Sequence, residues 1–194
     1  MTTAATTARA ESRTATTVPT GRLGIWWFLA SEIVIFGGLI VTYVLFRLRH
    51  PEWGAEAVHT INEAGALNTL VLLTSSLTMV LAHAAVARGL ISRAARYLSI
   101  TSTLGGIFMV VKAFEYGHEI AEGFTPIKGL FWSFYYALTG LHALHVLGGI
   151  VAINIVGAMA RAGKSVHRVE YVGIYWHFVD IVWIFLFPLL YLTS

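Results

Sequence analysis

Beyond residue 22 the chain alternates long apolar runs with short polar ones. Five apolar stretches lie near 23–46, 66–87, 97–117, 131–159 and 171–192. Each reaches or exceeds the ~20 residues needed to cross a ~30 Å hydrocarbon core. A segment in lipid must satisfy its own backbone, so each stretch predicts a helix. The pattern therefore predicts an all-α polytopic membrane protein, a bundle of five transmembrane helices forming one domain over 22–194. Pro19, Pro51 and Pro126 fall in the tail or the connections, and Pro188 falls near the end of the last stretch, where a kink is tolerated. Residues 1–21 are rich in Thr and Ala, carry Arg9, Arg13 and one acid, Glu11, and have no apolar core of signal-peptide length. They read as a disordered cytoplasmic tail.

Charge placement sets the expected topology. Arg9, Arg13, Arg22, Arg88, Arg93, Arg96, Arg161, Lys164 and Arg168 all fall on one side of a five-span arrangement. Arg47, Arg49 and Lys128 fall on the other, and Lys112 lies within the third span. The excess of basic residues marks the first side as cytoplasmic, with the N-terminus inside and the C-terminus outside, in a bacterial cytoplasmic (plasma) membrane. Composition adds exclusions. Charged residues are only 12% of the chain and there is no Cys, which removes disulfides, thiolate metal sites and Fe–S clusters. No basic cluster with interleaved aromatics points to nucleic acid.

The chemistry sits in the few polar residues inside the spans. Tyr175-Trp176-His177-Phe178-Val179-Asp180 puts a His and an Asp into an otherwise apolar segment. A carboxylate there is costly and persists only where it faces protein, water or a partner. At i, i+3, His177 and Asp180 are each other's nearest candidate partner. Glu32 lies roughly 12–15 Å below the inner surface by helical rise. It reads as a proton-handling or lipid-facing carboxyl, or as a structural one that is neutral or bonded to a His on a neighbouring helix. His83 lies at similar depth, so Glu32, His83, His177 and Asp180 have the opportunity to form one inner cluster.

In the fourth span His142, His145 and Gly149 share a face. Two His at i, i+3 can ligate a metal or heme, but the face offers no further ligands nearby, and a polar, small-residue packing stripe is favoured. Lys112 and Glu115, at i, i+3 near the outer end of the third span, are expected to pair, with His118 and Glu119 reaching the interface. The hydroxyls of Thr74-Ser75-Ser76 are expected to bond the preceding turn or a neighbouring helix, there being no base to activate them. Trp26, Trp27, Tyr97, Trp132, Tyr135, Tyr136, Tyr171 and Tyr191 lie near span ends, as an interfacial aromatic belt would.

Together these segments resemble subunit III of the heme-copper oxidases, in its short five-helix form. The matching pieces are WWFLASEIVIFGGL at 26–39, LNTLVLLTSSLT at 67–78, KAFEYGHEI at 112–120, FYYALTGLHALHVLGG at 134–149 and YWHFVDIVWIFLFPLLYL at 175–192. They cover all five spans in order. The family's first-helix Glu maps onto Glu32, its His pair onto His142 and His145, and its final His/Asp pair onto His177 and Asp180.

The resemblance implies a non-catalytic subunit that binds no metal itself and leaves heme and copper to partner subunits. It would flank the catalytic subunit I, with subunit II in the complex, retain structural phospholipid, and support proton uptake and durability during turnover. Three branches of the family fit: cytochrome c-fed, which is favoured, quinol-fed, and the subunit III-like protein associated with nitric oxide reductase. The competing class is a membrane cytochrome or oxygenase with its own metal site, which would need denser His pairs or boxes than one pair and scattered single residues.

Overall fold

The computed structural model describes residues 20–164 and 167–192, all helix and short connections. The helices are α1 (Thr20–Arg49), α2 (Trp53–Ala57), α3 (Asn62–Ala87), α4 (Ile91–Ala121), α5 (Leu130–Arg161) and α6 (Arg168–Tyr191). Five of them, all but α2, are long and apolar enough to cross a membrane. The 1–21 tail lies outside the described residues except for Thr20 and Gly21, which are already helical. Every spanning helix starts earlier than its apolar stretch, and α1, α4 and α5 also end later. At ~1.5 Å per residue even the shortest, α6 with 24 residues, is about 36 Å long and overshoots the hydrocarbon core.

α3, α4, α5 and α6 pack as a closed ring of four, each against the next, and α1 lies outside on the α5–α6 seam. Three connections turn on glycine. Gly89, Gly123 and Gly163 follow the C-caps of α3, α4 and α5 with φ of 71°, 87° and 70°, a left-handed conformation that glycine adopts without a Cβ clash. Beyond each, a backbone N–H reaches back to an end carbonyl: Leu90 to Ala85, Phe124 to Glu119 and Lys164 to Met159, at 2.8–2.9 Å. The end where α1 starts, which also carries the 88–90 and 162–167 connections, is called the near end. The end carrying α2 and the 122–129 connection is called the far end.

The bundle buries a set of polar groups within an apolar, aromatic core and is aliphatic outside. Asn68, Ser75, Thr101, Lys112, Glu115, Glu119, Thr139, His142 and Asp180 are buried, whereas Ile33, Val34, Leu48, Leu70, Leu77, Val110, Leu144 and Ile155 face outward. Such a surface suits lipid. Between helices lipid provides no hydrophobic drive, so close packing and internal hydrogen bonds must hold the bundle. Trp176 is the main brace. Its ring lies against Gly105 of α4 and Gly149 of α5, where an added Cβ would come within 2.8 and 2.7 Å of it. Its Nε1 donates to Ser75 Oγ of α3 at 3.0 Å. Trp183 repeats the motif, donating to Thr69 Oγ1 at 3.0 Å.

The expected aromatic belt is only partly a belt. Trp26 and Trp27 are exposed, but Trp132, Tyr135 and Tyr191 are fully buried. Nearness to a span end along the chain does not fix which way a ring faces, and these three face polar groups inside the bundle. α2 caps the far end: Trp53 packs on Tyr43, Phe131 and Phe134, and Glu56 accepts the Trp132 indole hydrogen bond at 2.8 Å.

Candidate functional site

Two hydrogen bonds tie α1 to the ring among the described residues, beside the exposed Arg22–Glu170 ion pair. Glu32 Oε2 lies 2.9 Å from His145 Nε2 on α5. Tyr43 Oη donates to the Leu189 carbonyl of α6 at 3.0 Å, satisfying one of that helix's orphan end carbonyls. His145 Nδ1 lies 2.8 Å from the Leu141 carbonyl, so that nitrogen carries a hydrogen. A single hydrogen then lies between Glu32 and His145 Nε2, whichever of the two owns it. The Tyr175 hydroxyl donates to the His145 carbonyl, and Phe36 sets its edge on the imidazole.

A surface hollow opens at the near end between α1, α5 and α6. Its mouth, of about 710 Å³, is lined by Arg22, His167, Arg168, Glu170 and Tyr171. Arg22 Nε stands 3.7 Å from Glu170 Oε1, leaving Arg168 and His167 as further positive or polar donors. The hollow shares Tyr171 and Val172 with an apolar trough of about 290 Å³ lined also by Ile25, Phe28, Gly148, Ala152 and Tyr175. A second apolar groove of about 300 Å³ runs between α1 and α6 past Phe36, Gly37, Ile40, Phe178 and Phe185. The hollow is thus charged at its mouth and apolar along the trough.

The four-residue inner cluster is not formed. Glu32 goes to His145, while His83 and His177 line a separate hollow of about 160 Å³ together with Glu170. His177 and Asp180 do not pair either. His177 Nδ1 meets Ser76 Oγ at 2.7 Å, and both Asp180 oxygens are buried with no hydrogen-bond partner among the described residues. Three residues along a helix is a rotation of about 60° short of a full turn. That offset lets His177 lean toward α3 while Asp180 enters the ring.

His142 and His145 also diverge. His142 is fully buried, with Phe108 edge-on at 5.5 Å and Trp183 at 5.2 Å, and neither ring nitrogen has a partner. With His145 already committed on both nitrogens, the pair is not placed to ligate one metal or heme iron. Among the described residues no three His, Asp or Glu side chains converge on a common metal position.

Lys112 and Glu115 do meet, at 3.1 Å, but deep in the ring rather than snorkelling. The Lys112 ammonium also donates to Tyr135 Oη at 3.1 Å and Tyr191 Oη at 2.8 Å, and lies 4.7 Å from the Tyr116 ring centroid. Glu119, expected at the interface, is completely buried, its Oε1 2.8 Å from Tyr135 Oη. Only His118 is exposed, 3.4 Å from Glu122. Tyr135, Tyr191 and Glu119 were missed as partners of Lys112. The available signal was that 105, 108, 112, 115 and 119 form one stripe along α4, so Glu119 faces where Lys112 faces.

Comparison with known proteins agrees with this architecture. The family described as cytochrome c oxidase subunit III matches residues 4–194. The chain is 33% identical to cytochrome c oxidase subunit 3 of Thermostichus vulcanus, over 89% of this chain and 87% of that one. It is 33% identical to the cytochrome bo(3) ubiquinol oxidase subunit 3 of Pseudomonas aeruginosa, over 88% and 84%. It also matches the heme-copper oxidase subunit I+III of Aeropyrum pernix at 33% identity, over 89% of this chain and 22% of that longer one. The fold defines a multi-pass helical membrane protein, and the family match makes it a subunit of the heme-copper oxidase class. The chain belongs to the cytochrome c oxidase subunit III family.

Proposed function

We propose that this chain is the accessory subunit III of a respiratory cytochrome c oxidase in a bacterial cytoplasmic membrane, with its N-terminus in the cytoplasm. It flanks subunit I, retains phospholipid, and supports proton uptake and endurance through turnover. Heme and copper chemistry belongs to subunits I and II. The observation that carries the reading is the Arg22–Arg168 mouth adjoining an apolar trough whose Tyr175 hydroxyl donates to the carbonyl of His145, the partner of Glu32. With the near end cytoplasmic, that mouth meets the leaflet rich in anionic lipid. The headgroup would sit at Arg22, His167 and Arg168, with acyl chain along Phe28 and Tyr175. Glu32 and His145 then form a protonatable pair beneath it. The Aeropyrum relative, named as subunits I and III on one chain, supports subunit I as the neighbour.

The second reading is a quinol-fed oxidase, favoured by the Pseudomonas relative named as a ubiquinol oxidase subunit. Identification of the co-purifying subunit II separates the two. The role itself is tested by purifying the complex with and without this chain and comparing heme spectra, initial rate and decay of rate over many turnovers. The depleted complex should keep its hemes and much of its initial rate but lose activity faster. Intact hemes with no initial activity would show that the chain takes direct part in catalysis and would overturn the accessory role.

A further inference from the structure

The Lys112 cluster contains more short contacts than its phenols have hydrogens to fill. The ammonium has three N–H donors, and Glu115 Oε2, Tyr135 Oη and Tyr191 Oη take them at 3.1, 3.1 and 2.8 Å. Three oxygen–oxygen contacts to carboxyl groups remain. Tyr191 Oη lies 2.6 Å from Glu115 Oε1, and Tyr135 Oη lies 2.7 Å from Glu115 Oε1 and 2.8 Å from Glu119 Oε1. Two phenols bring two hydrogens. The third contact needs a third hydrogen, and only a carboxyl group is left to carry it.

The charge count agrees. One ammonium faces two carboxyl groups, all three buried, and an unbalanced carboxylate in such an interior is strongly disfavoured. Glu115 accepts from Lys112 and both phenols, which suits a carboxylate. Glu119 Oε1 meets Tyr135, with the Tyr136 hydroxyl also near the carboxyl, and Glu119 Oε2 is buried with no hydrogen bond among the described residues. A carboxylic acid tolerates a bare carbonyl oxygen better than a carboxylate tolerates a bare anionic one. The other hydroxyls nearby are engaged: Tyr136 donates to the Phe124 carbonyl and Tyr116 meets Thr139. His118 and Glu122 pair outside, and Glu56 holds the Trp132 indole.

We propose that Glu119 binds a single exchangeable proton, held between Glu119 Oε1 and Tyr135 Oη, which fastens α4, α5 and α6 together at the far end of the bundle. With the proton present, Glu119 donates to Tyr135, Tyr135 donates to Glu115, and Glu115 balances Lys112. When it leaves to water through the 122–129 connection, the one Tyr135 hydrogen cannot serve two carboxylates, and the joint loosens.

The test uses the full chain within the detergent-extracted oxidase complex. Infrared difference spectra should show one carboxylic C=O band that shifts in D2O, is lost in Glu119→Gln, and survives in Glu32→Gln and Asp180→Asn. The amide has the shape of the neutral acid, so Glu119→Gln should assemble and melt like the parent at neutral pH, whereas Glu115→Gln should melt lower. The folded chain keeps a proton that the unfolded chain releases, so parental melting temperature should fall as pH rises, with a slope of about one proton. That slope should be smaller by about one proton in Glu119→Gln. Failure of Glu119→Gln to assemble, melting as low as Glu115→Gln, or an unchanged band or slope would overturn the proposal.

Discussion

At Glu32 a single hydrogen shared with His145 decides how the carboxyl behaves toward reagents. A carbodiimide soluble in lipid attacks only a protonated carboxyl. His145→Ala removes the one base in contact with Glu32 and leaves the acid buried on α1, so labelling should become faster than in the parent, and Glu32→Gln should abolish it. Equal rates in parent and His145→Ala would mean that His145 does not share that hydrogen. His177 and Asp180 call for the opposite expectation. Because the two make no bond to one another, a double-mutant cycle with His177→Ala and Asp180→Ala should give a coupling below about 0.5 kcal/mol, where a genuine pair would give up to about 3. Chain proximity had suggested a pair here and correctly gave one at Lys112–Glu115. The difference lies in which residue points along the buried stripe: Lys112 and Glu115 both do, whereas of His177 and Asp180 only Asp180 does.

Among the elements, α4, α5 and α6 meet at Trp176, and glycines make the meeting close. Gly149→Ala would put a methyl against the indole and should lower thermal stability by about 1–3 kcal/mol through overpacking. Gly37→Ala and Gly38→Ala on α1 meet nothing within 4 Å and should change stability by no more than about 0.5 kcal/mol. Thermal melts of the three variants in one detergent check both halves. If Gly149→Ala proves as harmless as Gly38→Ala, the Trp176 brace is not tight. The helices themselves were legible because long apolar runs have no other structure in lipid. Their ends were not, because Arg47, Arg49, Arg161 and the turns around 91–96 and 118–121 can stay helical in water or headgroups without any apolar signal. Nor was α2 legible, since five residues from Trp53 are fixed by packing on Tyr43 and Phe131 rather than by their own pattern.

At the scale of the whole molecule, the near-end hollow should govern lipid retention. Arg22→Gln with Arg168→Gln should reduce the anionic phospholipid that co-purifies with the complex, and the loss should be mimicked by high salt in the parent, because exposed charges are screened beyond about 10 Å at 0.1 M. Quantifying phospholipid classes in washed preparations measures it. Unchanged anionic lipid would remove the hollow as a headgroup site. This hollow could not be seen in the chain, because its mouth joins Arg22 to Arg168 across nearly the whole sequence.

The loose seat of α1 bears on the order in which the molecule is built. Its two polar anchors reach partners 113 and 146 positions away. α1 therefore enters the membrane before the helices that anchor it. Through the synthesis of α3, α4 and α5 it must wait in lipid without these partners, held by its own length and apolarity. The ring of four can close without it. Biogenesis of the chain thus ends with a lateral docking step, and a factor that shields Glu32 from lipid would act in the interval before His145 arrives.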